Sequence, residues 1–355
     1  VLINKLIRDK KIVLGGTSLD LYRVLDATPS IFGHIKDFDE YLNFLLCKTA
    51  DKIRGRRIVI WFSGGKDSSA ALLALLRLQE HVNFRLDVVY IHVPYLDGER
   101  NIRFVESIER KLSIDVTYES TNKESFRELL LKRGLPYRGY RWCTYHAKIK
   151  TMRHIKRRLG ADFEVSSERA FESIKRLKTL KEYAKQNTFI IGGQFKPIYP
   201  LTILDVSDIC RRHDIVHPDY LHGCSRVSCS LCPYRTIFEL EHTISDLEDP
   251  GFIEQVIRIM HNEFYNHIDF ESYIHYALWR FSPTIAESML SFKRYLDRLN
   301  WPAVSREYVE EMVAWIWRNH IDSPEICVDD ILSSIVKVDD YAPRIINLGL
   351  GAHII

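Results

Sequence analysis

The strongest constraint on the fold is an apolar run that passes directly into a glycine-rich turn and then into a helix. Residues 58–62 are apolar, residues 63–69 read Ser-Gly-Gly-Lys-Asp-Ser-Ser, and an Ala- and Leu-rich stretch continues to about Leu78. This order predicts a buried strand, a tight turn and a helix. Such a turn points several backbone N–H groups at one place, where the helix N-terminus adds partial positive charge. The turn is therefore expected to bind phosphate.

The pattern that surrounds this turn predicts an α/β protein. Further strands are expected at 86–93, 114–118, 163–166 and 188–191, with helices between them. Strands that alternate with helices indicate a doubly wound parallel sheet, because parallel strands need a crossover and a helix usually supplies it. Residues 1–55 are predicted to form an N-terminal extension with a strand at 11–14 and a helix at 37–53. We expect a central domain at 56–235 and a helical C-terminal domain at 236–355, with helices at 252–266, 284–299, 306–319 and 328–336.

Charge is distributed unevenly along the chain. The net charge is only +3, from 50 basic and 47 acidic residues. Residues 132–185, however, hold 16 Lys and Arg against 5 Asp and Glu, whereas residues 236–355 hold 9 against 20. The basic segment is typical either of a surface that follows a phosphate backbone or of a solvated helix. The acidic C-terminal part favours a protein partner.

Hydropathy gives no sign of a membrane protein. No apolar run approaches the roughly 18 to 20 residues that a transmembrane helix needs, and the N-terminus lacks the order of a signal peptide. We therefore expect a cytoplasmic protein with no membrane partner.

The seven cysteines fall into two groups. Without a secretory signal they are expected to be reduced thiols or metal ligands. Cys224, Cys229 and Cys232 occupy one loop that ends in Pro233, and Cys143 lies in the basic segment. Clustered thiolates indicate an iron–sulfur cluster or zinc, with free thiols as a third reading. One distant Cys with a Cys-x2-Cys-Pro sequence is closer to cluster ligation. The other three are predicted to be core residues: Cys47, Cys210 and Cys327.

The Ser-Gly-Gly-Lys-Asp-Ser sequence at 63–68 resembles the PP-loop of the N-type ATP pyrophosphatases. The resemblance implies an adenine nucleotide alpha hydrolase-like fold, in which the loop holds the β- and γ-phosphates of ATP while a substrate oxygen attacks the α-phosphate. It further implies that Lys66 and Asp67 are catalytic, that Mg²⁺ is bound, and that the adenine lies near His92. The implied ATP-binding residues of the loop are Ser63, Gly64, Gly65, Lys66, Asp67, Ser68 and Ser69.

Four further segments narrow the resemblance to one family within the N-type ATP pyrophosphatases. Arg-Trp-Cys-Thr at 141–144 with Lys148, residues 168–176, Pro197-Ile198 and Cys-Ser-Leu-Cys-Pro at 229–233 together resemble the phosphoadenosine phosphosulfate (PAPS) reductase family, over about 57–235. Ser167 and Thr151 depart from that family's pattern, in which Gly and Pro are usual. The resemblance implies that Arg169 is also catalytic. The implied substrate-binding residues are Arg141, Lys148, Arg169, Ser173 and Arg176.

A lone early Cys combined with a late Cys triplet is similar to the iron–sulfur PP-loop proteins of DNA phosphorothioation systems. This similarity implies a [4Fe-4S] cluster whose ligands are Cys143, Cys224, Cys229 and Cys232. Alternatively, Cys224 stands off the cluster and leaves one iron open to carry hydrosulfide, as proposed for the iron–sulfur tRNA thiolases.

The leading expectation from these resemblances is an ATP-dependent sulfurtransferase that adenylylates a nucleic acid, either DNA or tRNA, and receives sulfur from a donor such as a cysteine desulfurase. A sulfonucleotide reductase is the second reading, although the late Glu-Cys-Gly-Leu-His motif of those enzymes is absent from the sequence. A non-catalytic nucleotide-binding scaffold with a C-terminal protein partner is the third.

Overall fold

The computed structural model describes residues 12–14, 17–19, 34, 35, 37–298, 314, 315, 317–319 and 325–337. Its strands are β1 (Ile12–Leu14), β2 (Thr17–Leu19), β3 (His34–Ile35), β4 (Arg57–Trp61), β5 (Arg85–His92), β6 (Val116–Ser120), β7 (Phe163–Val165), β8 (Ile190–Ile191), β9 (Gln194–Phe195) and β10 (Glu325–Ile326). Its α-helices are α1 (Phe38–Ile53), α2 (Lys66–Gln79), α3 (Glu99–Leu112), α4 (Lys123–Arg133), α5 (Lys150–Leu159), α6 (Ile174–Lys185), α7 (Ile203–Arg212), α8 (Pro218–Leu221), α9 (Ile237–Thr243), α10 (Pro250–Phe264), α11 (Phe270–His275), α12 (Pro283–Arg298) and α13 (Val328–Lys337). A π-helical segment, Thr144–Ile149, leads into α5.

The central sheet has six strands in the order β6-β5-β4-β7-β9-β8. All neighbouring pairs are parallel except β8 and β9. The predicted parallel sheet is thus confirmed, but the strand expected at 188–191 is an antiparallel edge, and β9 was not predicted. Gly192 and Gly193 both have positive φ values, 56° and 79°, and they form the two-residue turn that reverses the chain between these strands.

Helices cover both faces of this sheet, which confirms the doubly wound α/β architecture. Ile58 and Ile60 point into the core shared with α1 and α2. Val59, between them, points to the opposite face and packs with Ile155 of α5. A strand that is buried on both faces has no polar alternation, and this is why β4 reads as a continuous apolar run.

The strand order places a crevice at the centre of the sheet. From β4 the chain moves outward through β5 to β6, and it then returns to form β7 on the other side of β4. The loops that follow β4 and β7 therefore leave in opposite directions. In open α/β sheets, ligands bind at such a switch point, outside the carboxyl ends of the strands.

The apolar side chains form two large clusters. The first joins the sheet to α1, α2, α6 and α7, and the C-terminal α13 also packs into it, against α6. The second lies beyond the carboxyl ends of β5 and β6 and joins α4 and Trp142 to helices α9–α12. Parts of both the predicted N-terminal extension and the predicted C-terminal domain therefore pack into the core of the central α/β domain.

The helical C-terminal region is confirmed in outline. The helices predicted at 252–266, 284–299 and 328–336 correspond to α10, α12 and α13. The helix predicted at 306–319 lies mostly outside the described residues. Among the helices that the structure describes, none has the length and apolar character needed to cross a membrane.

Candidate active site

A cavity of about 640 Å³ opens at the carboxyl ends of β4 and β7. One wall is the glycine-rich turn after β4, and a second is the segment 166–168 after β7. The facing walls come from segment 141–152 and from the cysteine loop at 226–233. The phosphate-binding turn and the cysteine motif, which are more than 150 residues apart in the chain, therefore share one cavity.

The glycine-rich turn is held in shape by hydrogen bonds of its own. Gly64 has φ +72°, and a Cβ on it would lie 3.0 Å from the Phe104 ring, so the turn requires glycine there. The Ser68 hydroxyl donates to the Gly65 carbonyl oxygen at 2.8 Å and lies 3.1 Å from the Ser63 hydroxyl. These contacts within the turn hold its backbone in shape.

Lys66, Asp67 and Arg169 form an ion-pair chain at this turn. The Lys66 ammonium lies 3.2 Å from one Asp67 oxygen, and Arg169 donates to the other at 2.5 Å. Burial alone would raise the pKa of Asp67, but the charges of Arg169 and Lys66 outweigh it and hold the pKa at about 2. Asp67 is therefore a carboxylate throughout the physiological pH range. Arg169, almost fully buried, acts on Asp67 and does not line the cavity.

The predicted ATP-binding residues occupy different places. Five of them line the cavity: Ser63, Gly65, Lys66, Asp67 and Ser68. Gly64 shapes the turn, whereas Ser69 is fully buried in α2 with no hydrogen-bond partner for its hydroxyl. His92 ends β5, and its Nδ1 lies 3.7 Å from Asp97, outside the cavity lining. The position of the adenine beside His92 stays a prediction.

Three of the predicted substrate-binding residues face the cavity. They are Arg141, Lys148 and Arg176. Arg176 also pairs with Glu172 and lies 3.8 Å from Glu168. Ser173 instead caps α6, where its hydroxyl accepts from the Arg176 N–H at 3.3 Å.

Cys143, Cys229 and Cys232 all line the cavity. Burial raises the pKa of Cys143 and that of Cys229, the latter to about 12, and the nearby Lys148 charge lowers both. Arg226 donates to the Cys232 sulfur at 3.0 Å. The three thiols thus face the same space with two cations beside them.

The other cysteines lie elsewhere. Cys224 is fully buried outside the cavity lining; burial and the Asp219 charge, opposed by the Arg235 charge, raise its pKa to about 12. Cys210 is a core residue as predicted, with its sulfur 3.5 Å from the Lys66 carbonyl oxygen. Cys47 and Cys327 are exposed, so their prediction as core residues was wrong. Cys47 lies outside the face of α1 that packs inward, which carries Tyr41, Leu45 and Thr49.

The donor set fits a thiophilic metal centre. As placed, no group of three or more His, Cys, Asp and Glu side chains within the described residues is close enough to hold a metal ion. Three thiols that face one cavity, with Lys148 and Arg226 to offset thiolate charge, nevertheless suit iron–sulfur or zinc chemistry. Cys143, Cys229 and Cys232 face the cavity and Cys224 does not, and the set of four cysteine ligands stays a prediction.

A buried ionic network holds the cysteine loop. Asp219, with no exposed side-chain surface, pairs with Arg100 at 2.8 Å and with Arg235 at 3.1 Å. Arg235 also donates to the carbonyl oxygens of Ser228 and Cys229, at 2.7 and 3.0 Å. Arg235 and Asp219 therefore hold the backbone of the cysteine loop at Ser228 and Cys229 from beneath.

The sequence did not single out several residues of this site. Tyr220 accepts from the Lys66 N–H at 3.0 Å and lines the cavity, yet nothing in its local sequence marks it. Arg226 and Tyr234 flank the cysteine motif, and that proximity is the signal that could have found them.

These features define a class of protein: a doubly wound α/β protein with a phosphate-binding loop at its switch point and a cavity lined by three cysteines. Residues 57–235 match the model of the phosphoadenosine phosphosulfate reductase domain. The chain belongs to this family, which lies within the PP-loop superfamily.

Two uncharacterised proteins of Methanocaldococcus jannaschii are similar in sequence. One is 28% identical over 174 residues, which cover 48% of this chain and 40% of that protein. The other is 27% identical over 252 residues, which cover 70% of this chain and 50% of that protein. The chain thus spans half or less of the length of these relatives.

Solved structures give more distant similarities. The U34-tRNA thiolase NcsA from Methanococcus maripaludis with its [4Fe-4S] cluster is 15% identical, with a TM-score of 0.38 over 66% of this chain and 81% of that one. The NAD+ synthetase from Burkholderia pseudomallei is 17% identical, with a TM-score of 0.34 over 67% of this chain and 97% of that one. Neither similarity is close enough to transfer a ligand or an activity.

Proposed function

We propose that this protein is an ATP-dependent sulfurtransferase that activates an oxygen of a nucleic acid by adenylylation and replaces it with sulfur. The observation that carries the proposal is the shared cavity, in which the glycine-rich turn and the three cysteines face one space. A nucleotide and a sulfur-bearing centre can therefore act on one substrate without its release.

The proposed reaction has two steps. A substrate oxygen attacks the α-phosphorus of ATP, the bond to the β-phosphate oxygen breaks, and pyrophosphate leaves. Hydrosulfide then attacks the substrate atom that carries the activated oxygen, and AMP leaves with that oxygen. The second step exchanges an oxygen for a sulfide at constant oxidation state, so it needs no external oxidant or reductant.

The residues of the turn supply binding and charge. Backbone N–H groups and the hydroxyls of Ser63 and Ser68 would hold the β- and γ-phosphates, while Lys66 neutralises the charge that pyrophosphate gains. Asp67, kept ionised by Arg169, would hold Mg²⁺. Arg141 and Arg176, which also line the cavity, would pair with phosphates of the acceptor.

Cys143, Cys229 and Cys232 would hold the iron–sulfur cluster, with zinc as the alternative. A [4Fe-4S] cluster with three protein ligands supplies an iron site that can bind hydrosulfide. Lys148, beside all three thiols, stabilises their ionised form and so favours metal binding.

The remaining partners follow from charge and chemistry. A sulfur donor such as a cysteine desulfurase would supply sulfur as a persulfide, and a thiol reductant would release it as hydrosulfide while the two thiols form a disulfide. The excess of acidic residues at 236–355 favours a protein partner for this part of the chain.

The test is the identity of the nucleotide products. Anaerobically purified, metal-loaded protein is given ATP, Mg²⁺ and either DNA or tRNA, and AMP, ADP, pyrophosphate and phosphate are quantified. We expect AMP and pyrophosphate in equal amounts, and a loss of about 100-fold in their rate for Lys66→Ala. Lys48→Ala, which changes a lysine on the outer side of α1, is the matched control and should keep the native rate. ADP and phosphate as products, or no pyrophosphate with either acceptor, would overturn the proposal.

A further inference from the structure

Three arginines surround one exposed tyrosine immediately after the cysteine motif. Tyr234 keeps 39% of its surface exposed. The guanidinium carbons of Arg141, Arg226 and Arg138 lie 5.2, 5.6 and 5.8 Å from the centre of its ring. We call these four residues the Tyr234 cluster. Each arginine is close enough to attract the ring's π-face.

The arginines of the Tyr234 cluster pair with no carboxylate of the described residues, and Arg226 also donates to the Cys232 sulfur at 3.0 Å. Among the residues that the structure describes, none of its three arginines has a carboxylate oxygen within 4.0 Å. Burial, and to a smaller extent the charge of Arg226, lowers the pKa of Arg138. Arg138 donates to the Pro233 carbonyl oxygen at 2.9 Å, which fixes it beside the ring. Like charges held together in this way form a site for an anion.

The Tyr234 cluster stands at the cavity. Arg141 and Arg226 line the cavity, as do Cys232 and Pro233, which precede Tyr234 in the chain. A group bound on the Tyr234 ring would therefore lie next to the cavity, on the side of Cys232 and Arg226. The cluster is placed to receive the acceptor rather than ATP, because the turn that would hold ATP forms a separate wall.

A basic stripe runs away from the cluster along α5. Lys150, Arg153 and Arg157 are exposed and, being three and four residues apart, lie on one face of the helix. The π-helical segment that joins Arg141 to this helix presents Tyr145, which is 51% exposed. Exposed tyrosines interleaved with basic residues are typical of surfaces that bind single-stranded nucleic acid.

We propose that the Tyr234 cluster docks an unpaired nucleotide of the acceptor nucleic acid, whose base stacks on Tyr234 while Arg138, Arg141 and Arg226 hold the adjoining phosphates. The strand then follows the basic face of α5. A base inside a duplex is stacked on both faces and has none free to stack on Tyr234, so the acceptor must be single-stranded or locally unpaired at this point. This inference rests on the proposed function only in treating the bound nucleic acid as the acceptor of sulfur. The binding itself requires no ATP.

The test measures binding of labelled oligonucleotides by fluorescence anisotropy in the full-length protein without ATP. The probes are a single strand of DNA, the same sequence in RNA, and the duplex of each. We expect either single strand to bind at least tenfold more tightly than its duplex. The two single-strand arms distinguish a DNA acceptor from an RNA acceptor.

The variants separate stacking from charge. Tyr234→Leu should weaken single-strand binding about tenfold, whereas Tyr234→Phe, which keeps the ring, should bind as the native protein does. Tyr295→Leu, which removes a still more exposed tyrosine on α12, is the matched control and should change nothing. Arg141→Gln should reduce the slope of log affinity against log salt by about one, and Arg258→Gln, whose guanidinium lies 4.8 Å from the Phe270 ring, should not.

Equal losses in Tyr234→Leu and Tyr295→Leu, a loss in Tyr234→Phe as large as that in Tyr234→Leu, or equal binding of duplex and single strand would each overturn the inference. Its failure is distinct from a failure of the proposed function. Native protein that binds single strands through Tyr234 but forms no pyrophosphate keeps the inference and refutes the sulfurtransferase. Native protein that forms pyrophosphate but does not bind single strands through Tyr234 keeps the proposed function and refutes the inference.

Discussion

His217 is a buried imidazole whose protonation the fold opposes. It has no exposed surface, its Nδ1 accepts from the Asp219 N–H at 3.1 Å, and its Nε2 has no hydrogen-bond partner. Burial, together with the charges of Arg100 and Arg235 and against the charge of Asp219, lowers its pKa to about 4. His217 is therefore neutral in the native protein at neutral pH.

This pKa predicts a pH-dependent stability. Below about pH 6.5 the unfolded chain protonates His217 and the native protein does not until about pH 4, so the free energy of unfolding falls across that window. Between about pH 7.5 and pH 5, the titration of His217 alone should lower the free energy of unfolding by about 2 kcal/mol. Urea unfolding at several pH values measures it.

The variant His217→Asn keeps an acceptor for the Asp219 N–H but has no group that titrates. Its free energy of unfolding should fall by about 2 kcal/mol less than that of the native protein over the same interval. His154→Asn, at an exposed position on α5, is the control and should keep the native slope. A native slope in His217→Asn would contradict the assignment.

The loop between α8 and α9 carries Cys224, Cys229 and Cys232. Arg235, paired with Asp219, donates to the backbone of this loop, and only Cys229 and Cys232 reach the cavity. The geometry therefore predicts that metal binding depends on Cys229, Cys232 and Cys143 but not on Cys224.

Iron, zinc and acid-labile sulfide analysis after anaerobic purification checks this prediction. We expect Cys232→Ala to lose the metal and Cys224→Ala to retain the native content, because only the former removes a thiol that faces the cavity. Loss in both variants would mean that all four cysteines are ligands. Zinc without sulfide in the native protein would exclude an iron–sulfur cluster and the sulfur-delivery step that depends on it.

At the scale of the whole molecule, the C-terminal part of the chain supports the phosphate-binding turn. Trp317 stacks on Tyr220 with ring centres 4.2 Å apart, and the Tyr220 hydroxyl accepts from the Lys66 N–H. Near it in sequence, α13 packs on α6 in the same hydrophobic cluster. Trp317, 251 positions further along the chain, thus positions Lys66 through one intervening ring.

Trp317→Leu should therefore weaken ATP binding about tenfold as well as destabilise the fold by roughly 3 kcal/mol. The matched control is Trp279→Leu, which removes an equally buried tryptophan from the second hydrophobic cluster. It should cost similar stability and leave ATP affinity unchanged. Calorimetric titration with ATP and urea unfolding separate the two effects, and equal affinities in both variants would contradict the coupling.

Much of the fold was predictable because the signals are local. Consecutive residues encode the glycine-rich turn, the strands around it and the helices predicted at 252–266 and 328–336. The antiparallel β8–β9 edge was missed because each strand has only two residues, too few to show a period. The exposure of Cys47 was missed because one residue on a helix does not reveal which face packs inward.

The sequence by itself determined that a phosphate-binding turn follows a buried strand, and that four cysteines and a basic segment occur in the same chain. Only the tertiary structure decided which of them meet. Cys143, Cys229 and Cys232 share a cavity with Lys66 while Cys224 lies outside its lining, and Arg169, which also lies outside the lining, reaches Asp67 across 102 residues. The physical reason is that the strand order brings β7 back beside β4. This order depends on how the apolar faces of all the elements pack together, so it cannot be read from any single segment of the sequence.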